Sequence, residues 1–120
     1  MALAGELQSQ FPAAAVQGIM GSQALTVTAA GGTQATATAL AAANNIVSTA
    51  TNLQGVVLPS GKQPFDQINV ANTTSVSICV YPPVGGNLNG NATNAPCIMA
   101  AFSVVTFFCS SNLNWLADSI

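Results

Sequence analysis

Acidic side chains are the first candidates for chemistry in this sequence, because two carboxyl groups held together can act as general acid and base. The chain contains three of them, Glu6, Asp66 and Asp118, and no histidine. Asp66 and Asp118 each lie beside a turn-like segment, where an aspartate usually hydrogen-bonds the local backbone. Nothing in their spacing brings them together, so we predict that the protein is not an enzyme.

Three cysteines, Cys79, Cys97 and Cys109, are the other candidates, as metal ligands or disulfide partners. Zinc and iron sites need histidines or closely spaced cysteine pairs, and this chain has neither. The number is odd, and Cys79 and Cys109 lie in apolar, strand-like runs where a free cysteine packs as a small hydrophobic residue. We predict that the cysteines are buried free thiols, in preference to one disulfide. We also predict that the protein binds no metal and no cofactor.

The segment from Gly55 to Gln63, GVVLPSGKQ, superficially matches a phosphate-binding loop because it follows apolar residues and ends in Gly-Lys. Its glycines are separated by five residues instead of four, and Gln63 stands where the motif has serine or threonine. Pro64 follows at the point where a helix should begin. We therefore interpret this segment as a strand, Val56–Leu58, that enters a turn.

Charge is nearly absent from the 120 residues: one lysine, no arginine and three acids make 3% charged residues, against roughly 25% in an ordinary soluble domain. Lys62 alone cannot form a basic patch, so we predict no direct contact with nucleic acid. The longest apolar run, residues 97–109, is too short for a membrane-spanning helix, and no secretion signal is recognisable. A surface of uncharged polar residues favours assembly.

Residues 1–23 are predicted to form an N-terminal arm with partly helical character. Leu3, Leu7 and Phe11 recur at steps of four, the spacing of one helical face. Pro12, three alanines and Gly18 fit a second short helix. Because this arm has too few apolar residues to be stable alone, it either folds back on the domain or docks on a partner.

Residues 24–120 are predicted to form a single mainly β domain. Apolar and polar residues alternate from Ala24 onward, and a period of two is typical of half-buried strands. Turn-forming residues separate nine short segments: Leu25–Ala29, Thr36–Leu40, Ile46–Ala50, Val56–Leu58, Gln67–Val70, Ser75–Tyr81, Cys97–Met99, Val104–Cys109 and Trp115–Ala117.

Short strands at such intervals predict an antiparallel β-sandwich, and we expect a jelly-roll-like arrangement closed by the strand that contains Trp115. The segments Ile68–Val70 and Val76–Val80 both alternate. Because Asn-Thr-Thr lies between them, we predict that they form a hairpin.

Several short motifs follow one another along the chain: Val57-Leu58-Pro59, Tyr81-Pro82, Asn89-Gly90, Phe107-Phe108-Cys109 and Asn114-Trp115. In this order and spacing the chain resembles, over nearly its whole length, a family of small virion proteins of tailed bacteriophages. That family usually has a glycine turn between its last two core strands. Ala100–Ser103 contains no glycine, so the resemblance does not extend to that turn.

The resemblance implies a head decoration, or cement, protein: a structural β-sandwich on the capsid surface of the virion, assembled in the host cytoplasm. Its expected partners are the major capsid protein and itself, as a homotrimer. The arm would then supply apolar anchors at the capsid or subunit interface, and our candidates are Leu3, Leu7, Phe11 and Val16.

The alternative function is that of a phage head-fibre, tail or baseplate domain that binds a host glycan. In that case Tyr81 and Trp115 would stack on a sugar, and the Asn-rich loop, residues 82–91, would contact it. A lone tryptophan near the end of a small sandwich is more often part of the core. Glycan sites also present more exposed aromatic rings than this sequence offers, so the decoration role is favoured.

Overall fold

The alternating pattern produces nine strands in the computed structural model, which describes residues 24–118. They are β1 (Leu25–Thr28), β2 (Thr38–Ala39), β3 (Asn44–Thr49), β4 (Gly55–Val57), β5 (Gln67–Asn72), β6 (Ile78–Tyr81), β7 (Cys97–Met99), β8 (Ser103–Ser111) and β9 (Asn114–Ala117). A 3₁₀ turn, Gln34–Thr36, includes Thr36, so the second predicted strand does not begin at that residue. The predicted mainly β domain is confirmed, and the arm of residues 1–23 lies outside the described residues.

Two sheets face each other. The five-stranded sheet has the order β1-β3-β5-β8-β9, and the four-stranded sheet has the order β2-β4-β6-β7. From β1 to β6 the chain alternates between the sheets, so each strand lies parallel to the one two positions earlier. The last three strands then join antiparallel. The prediction of wholly antiparallel sheets is therefore wrong, and the jelly-roll arrangement is not confirmed.

The predicted hairpin between β5 and β6 is wrong for the same reason, because these two strands belong to different sheets. Asn72, at the end of β5, is buried. Its Nδ2 donates to the backbone oxygens of Val76 (2.9 Å) and Ala100 (3.0 Å), and its Oδ1 accepts from the Thr74 amide (3.1 Å). A buried amide satisfied in this way fixes a corner, and the chain crosses to the other sheet there.

The core lies between the two sheets and is filled by the inward residues of both. Its largest fully buried side chains include Trp115 and Phe107, and the aliphatic members are Val47, Val56, Leu58, Ile68, Val70, Ile78, Val80, Leu88 and Met99. Trp115 has no exposed surface, and β9 carries it at the edge of the five-stranded sheet. The strand that contains Trp115 is thus an edge strand with a core side chain, and the predicted jelly-roll closure by this strand is not confirmed.

Candidate functional site

The outward side chains of the five-stranded sheet include no charged residue. They alternate along each strand with the buried ones, and they are Thr26, Thr28, Asn44, Ile46, Ser48, Gln67, Asn69, Ala71, Val104, Thr106, Phe108, Ser110, Asn114 and Leu116. A sheet face without charge offers neither electrostatic attraction nor repulsion to a neighbour. Contacts on this face are therefore governed by shape and apolar burial.

A polar ladder crosses the middle of this face. Asn69 Nδ2 donates to Asn44 Oδ1 (2.8 Å), and Thr106 Oγ1 donates to Asn69 Oδ1 (2.8 Å). These side chains stand on three neighbouring strands, β3, β5 and β8. Because they bond to one another, they cover the sheet without requiring a charged partner. The ladder divides the apolar outward residues into two groups, one at each end of the strands.

An apolar groove lies at the end of the sheet where β5 begins. Phe108 on β8 is paired with Leu116 on β9, and Phe65, just before β5, closes the third side. The groove has a volume of about 380 Å³, and Cys109 and Ser110 complete its lining. We call these five residues the Phe108 groove. Its lining is mostly apolar.

Phe65 adopts a backbone conformation that normally belongs to glycine. Its φ is 71°, it follows Pro64, and the Asp66 amide donates to the Gln63 carbonyl (3.0 Å). This is a type II turn, whose third position favours glycine. The Asp66 carboxylate also accepts from the Gln63 amide (2.8 Å), which reinforces the turn. The strained residue carries a phenyl ring that is 86% exposed, and strain of this kind is often found at functional positions.

A second exposed phenylalanine lies at the opposite end of β8. Phe102, in the turn between β7 and β8, has a φ of 52° and is 73% exposed, and Val104 beside it is 70% exposed. The Phe102 amide donates to the Thr74 carbonyl (3.2 Å). The turn that lacks glycine is thus made by placing Phe102 in the left-handed conformation instead.

The residues predicted to stack on a glycan are not available for stacking. Trp115 is fully buried in the core, and Tyr81 is nearly so, with its hydroxyl 3.3 Å from the Gly32 carbonyl oxygen. Their rings pack against protein, which corrects that assignment and supports the core interpretation of Trp115. The predicted capsid anchors Leu3, Leu7, Phe11 and Val16 lie outside the described residues.

The Asn-rich loop, predicted as a contact surface, is partly tied to the sheet. The Trp115 amide donates to the Asn87 carbonyl (2.9 Å), and the Asn89 amide donates to the Trp115 carbonyl (2.9 Å). Between these two bonds Leu88 is fully buried. This stretch covers the outer edge of β9, whereas Val84, Gly85 and residues 89–94 are exposed.

The two described acids do not lie side by side. The Cys109 amide donates to the Asp66 carbonyl (2.8 Å), whereas the Asp118 amide donates to the Thr106 carbonyl (2.9 Å). The aspartates therefore lie on opposite sides of β8 and three residues apart along it. At the usual strand dimensions their backbones are more than about 10 Å apart. Within residues 24–118, no three His, Cys, Asp or Glu side chains cluster as metal ligands would.

The cysteines are free and buried, as predicted. Burial raises the pKa of all three thiols. Hydrogen bonds from Tyr81 and Asn91 partly offset this at Cys79 and Cys97. At Cys109 the nearby Asp66 carboxylate raises the pKa further. All three groups are therefore neutral thiols near pH 7.

These thiols should react slowly with iodoacetamide, because the thiolate is the nucleophile and each sulfur is shielded. At pH 8 we expect the folded protein to be alkylated at least about tenfold more slowly than the protein unfolded in urea. Intact-protein mass spectrometry measures both rates. Unfolded thiols ionise near the ordinary pKa of 9.0, below the folded value. Below about pH 9 the thiols are neutral in both states, so they do not change the free energy of unfolding with pH. Above about pH 9 the unfolded thiols ionise before the folded ones, so the free energy of unfolding falls as pH rises. Fast alkylation of one cysteine in the folded protein would contradict this.

The Phe108 groove was not among the sequence-based candidates. Alternation places one of the adjacent residues Phe107 and Phe108 inside and the other outside, without saying which one joins an apolar recess. The one local signal is Pro64-Phe65-Asp66, a phenylalanine in a polar turn. Only the pairing of β5, β8 and β9 brings Phe65, Phe108 and Leu116 together.

Comparison of the chain with protein-family models gives no match, and comparison with curated protein sequences gives none either. Across residues 24–118, helices of the length and apolarity needed to cross a membrane are not found.

Proposed function

We propose that this chain is a structural protein of a tailed-bacteriophage virion, a decoration or cement protein that binds the major capsid protein on the outside of the head. The proposal combines the resemblance of its motifs to that family with one structural observation: apolar side chains are exposed on several sides of a domain that has almost no charge. The proposed assembly is a homotrimer.

The exposed apolar residues are spread over both sheets. Leu116 lies on the five-stranded sheet and Ile98 on the four-stranded one, while Phe65 and Phe102 lie in turns next to β5 and β8. Val84 lines a second groove of about 460 Å³, next to Pro59 and Pro83. Single exposed apolar residues are common on monomers. Their presence on several sides, with few charges between them, is typical of a subunit surrounded by neighbours.

A cement protein stabilises a shell by adding buried surface across the joints between subunits. Each contact contributes roughly 25 cal/mol per Å² of apolar surface removed from water. The contribution of each copy adds to that of the others over the whole shell. If the protein binds only the expanded shell, its binding energy also favours that state over the precursor. Such a role uses shape and apolar contact, which this surface provides.

The copy number in purified virions tests this proposal. We expect a ratio to the major capsid protein close to that of a regular surface lattice, measured by quantitative mass spectrometry. Because the surface has few charges, the ratio should be unchanged after washing at 50 mM or 1 M salt. The absence of the chain from virions, or its release at high salt, would contradict the proposal.

A few copies per particle would instead support a vertex, fibre or tail component, and glycan binding would then be tested directly. Light scattering of the free protein gives the oligomeric state. A mass of about 36 kDa, three times the 12.0 kDa chain, is expected if the trimer forms before docking.

A further inference from the structure

The Phe108 groove has the size of a site for a short segment. Five residues line it, whereas a stable subunit interface buries about 800 Å² and roughly 20–30 residues on each partner. The groove alone is therefore too small to hold a second copy. A single chain segment about 10 Å wide would cover the groove.

The described chain begins within reach of this groove, at the opposite edge of the five-stranded sheet. Leu25, the first residue of β1, is level with Val105 on β8 in the observed register, so Phe108 lies three residues, or about 10 Å, farther along. Across the sheet β8 is about 14 Å and β9 about 19 Å from β1, which places Phe108 and Leu116 roughly 18 and 22 Å from Leu25. Residues 17–23 can span about 23–25 Å.

The sequence before Ala24 supplies a segment of matching chemistry. Leu3, Leu7 and Phe11 fall on one face at helical spacing, and Leu3 to Phe11 would rise about 12 Å as a helix. Within residues 1–16 the one charged side chain is Glu6. The apolar side chains of this stripe match the mostly apolar, uncharged lining of the groove.

We infer that, in the free protein, residues 1–16 of the same chain dock in the Phe108 groove, with Leu7 and Phe11 against Phe65, Phe108 and Leu116. Of the two possibilities for the arm, folding back and docking on a partner, the geometry favours the first. This inference concerns the isolated chain and does not rest on the proposed capsid function.

The conformation of Phe65 supports this assignment. A phenylalanine in the left-handed region costs free energy that glycine would avoid. The same residue also leaves its ring exposed to water. Both costs are offset if the ring is a contact for an apolar segment. Phe102 has the same two features at the far end of β8, so it serves as a matched control.

The first test is photo-crosslinking in the full-length protein, with benzoyl-phenylalanine in place of Phe11. We expect crosslinks within one chain, to peptides that contain Phe65, Phe108 or Leu116. Phe108→Ser should lower the yield at least fivefold, and Val104→Ser, on the same face but outside the groove, should leave it unchanged. Crosslinked dimers would assign the arm to a second copy. Crosslinks near Phe102 or Val104 would place it elsewhere, and either result overturns the inference.

The second test uses thermal unfolding of full-length variants. Phe65→Gly removes backbone strain and also the contact, so we expect its melting temperature to stay equal to or fall below that of the parent. In a Leu7→Ser/Phe11→Ser background the contact is already lost, and Phe65→Gly should raise the melting temperature. Phe102→Gly should raise it equally in both backgrounds. An equal effect of Phe65→Gly in both would overturn the inference.

The outcomes separate this inference from the capsid proposal. Crosslinking and melting are measured on free protein, whereas the copy number is measured on virions. If the arm crosslinks only to other sites while the virion ratio remains high, the docking inference fails and the capsid role stands.

Discussion

Replacing Trp115 with alanine is expected to lower the free energy of unfolding by about 3–5 kcal/mol, the usual cost of removing a fully buried large aromatic side chain. Trp115 has no exposed surface. It stands on β9 opposite Cys109, and the loop containing Leu88 bonds to both its amide and its carbonyl. The loss is a large fraction of the about 5–15 kcal/mol that stabilises a typical domain.

The matched control is Trp115→Phe. Among the described residues, the buried indole Nε1 has no hydrogen-bond acceptor within reach. Phenylalanine therefore removes volume without breaking a hydrogen bond to the protein, and its cost should be well below that of alanine. Urea unfolding followed by circular dichroism compares the three proteins, since tryptophan fluorescence is lost in the variants.

Two results would contradict this account. A Trp115→Ala variant within about 1 kcal/mol of the parent would mean that the ring is not a core residue, because surface substitutions rarely exceed that size. A Trp115→Phe variant as unstable as the alanine variant would mean that the indole N–H has an essential partner. The first result would also reopen stacking on a glycan as a role for Trp115.

The positions of the strands could be predicted from the sequence because each depends on local pattern. Alternation such as Gln67-Ile68-Asn69-Val70 marks a half-buried strand wherever it pairs, and all nine predicted segments overlap a strand. Two segments are clearly shortened, because β6 begins at Ile78 instead of Ser75 and β2 begins at Thr38 instead of Thr36. The Thr36 hydroxyl bonds to the Thr33 amide (3.2 Å) and hydroxyl (2.9 Å). A local side-chain bond there favours a 3₁₀ turn over an extended chain.

The pairing of the strands could not be predicted in this way. Alternation is the same for a strand with a parallel or an antiparallel neighbour, and a short polar link usually indicates a hairpin. Asn72, Thr73 and Thr74 look like such a link, but Asn72 bonds to Ala100, 28 residues away. That long-range contact turns the chain into the other sheet. Patterns among neighbouring residues could not have predicted this contact.

The candidate groove depends on pairing even more strongly. Phe65, Phe108 and Leu116 come from three separate segments, and none of them by itself indicates a groove. Their meeting requires β8 to lie between β5 and β9 in the observed register. For the alternative glycan-binding function the sequence pointed to Tyr81 and Trp115, the chain's sole tyrosine and tryptophan, and both rings are buried in the domain.

Replacing Gly86 with alanine is expected to cost about 3 kcal/mol or more, at the upper end of the range for overpacking. A Cβ at this position would lie 1.9 Å from the Leu113 carbonyl oxygen and 2.8 Å from its carbonyl carbon. Both are backbone atoms of the turn between β8 and β9, so no side-chain rotation relieves the overlap. The loop would have to move away from β9, which breaks the bonds between Asn87, Asn89 and Trp115 and exposes Leu88.

Two glycine controls separate crowding from other effects. At Gly32 an added Cβ meets nothing within 4 Å, so Gly32→Ala should change the free energy of unfolding by less than about 0.5 kcal/mol. Gly90 also has open space but a φ of +72°, and Gly90→Ala should cost about 1–2 kcal/mol from backbone strain alone. Chemical unfolding of the three variants ranks them by the free energy of unfolding that each one loses. If Gly86→Ala proves no worse than Gly90→Ala, the loop does not pack against β9 as closely as the structure requires, and the burial of Leu88 and Trp115 would need another explanation.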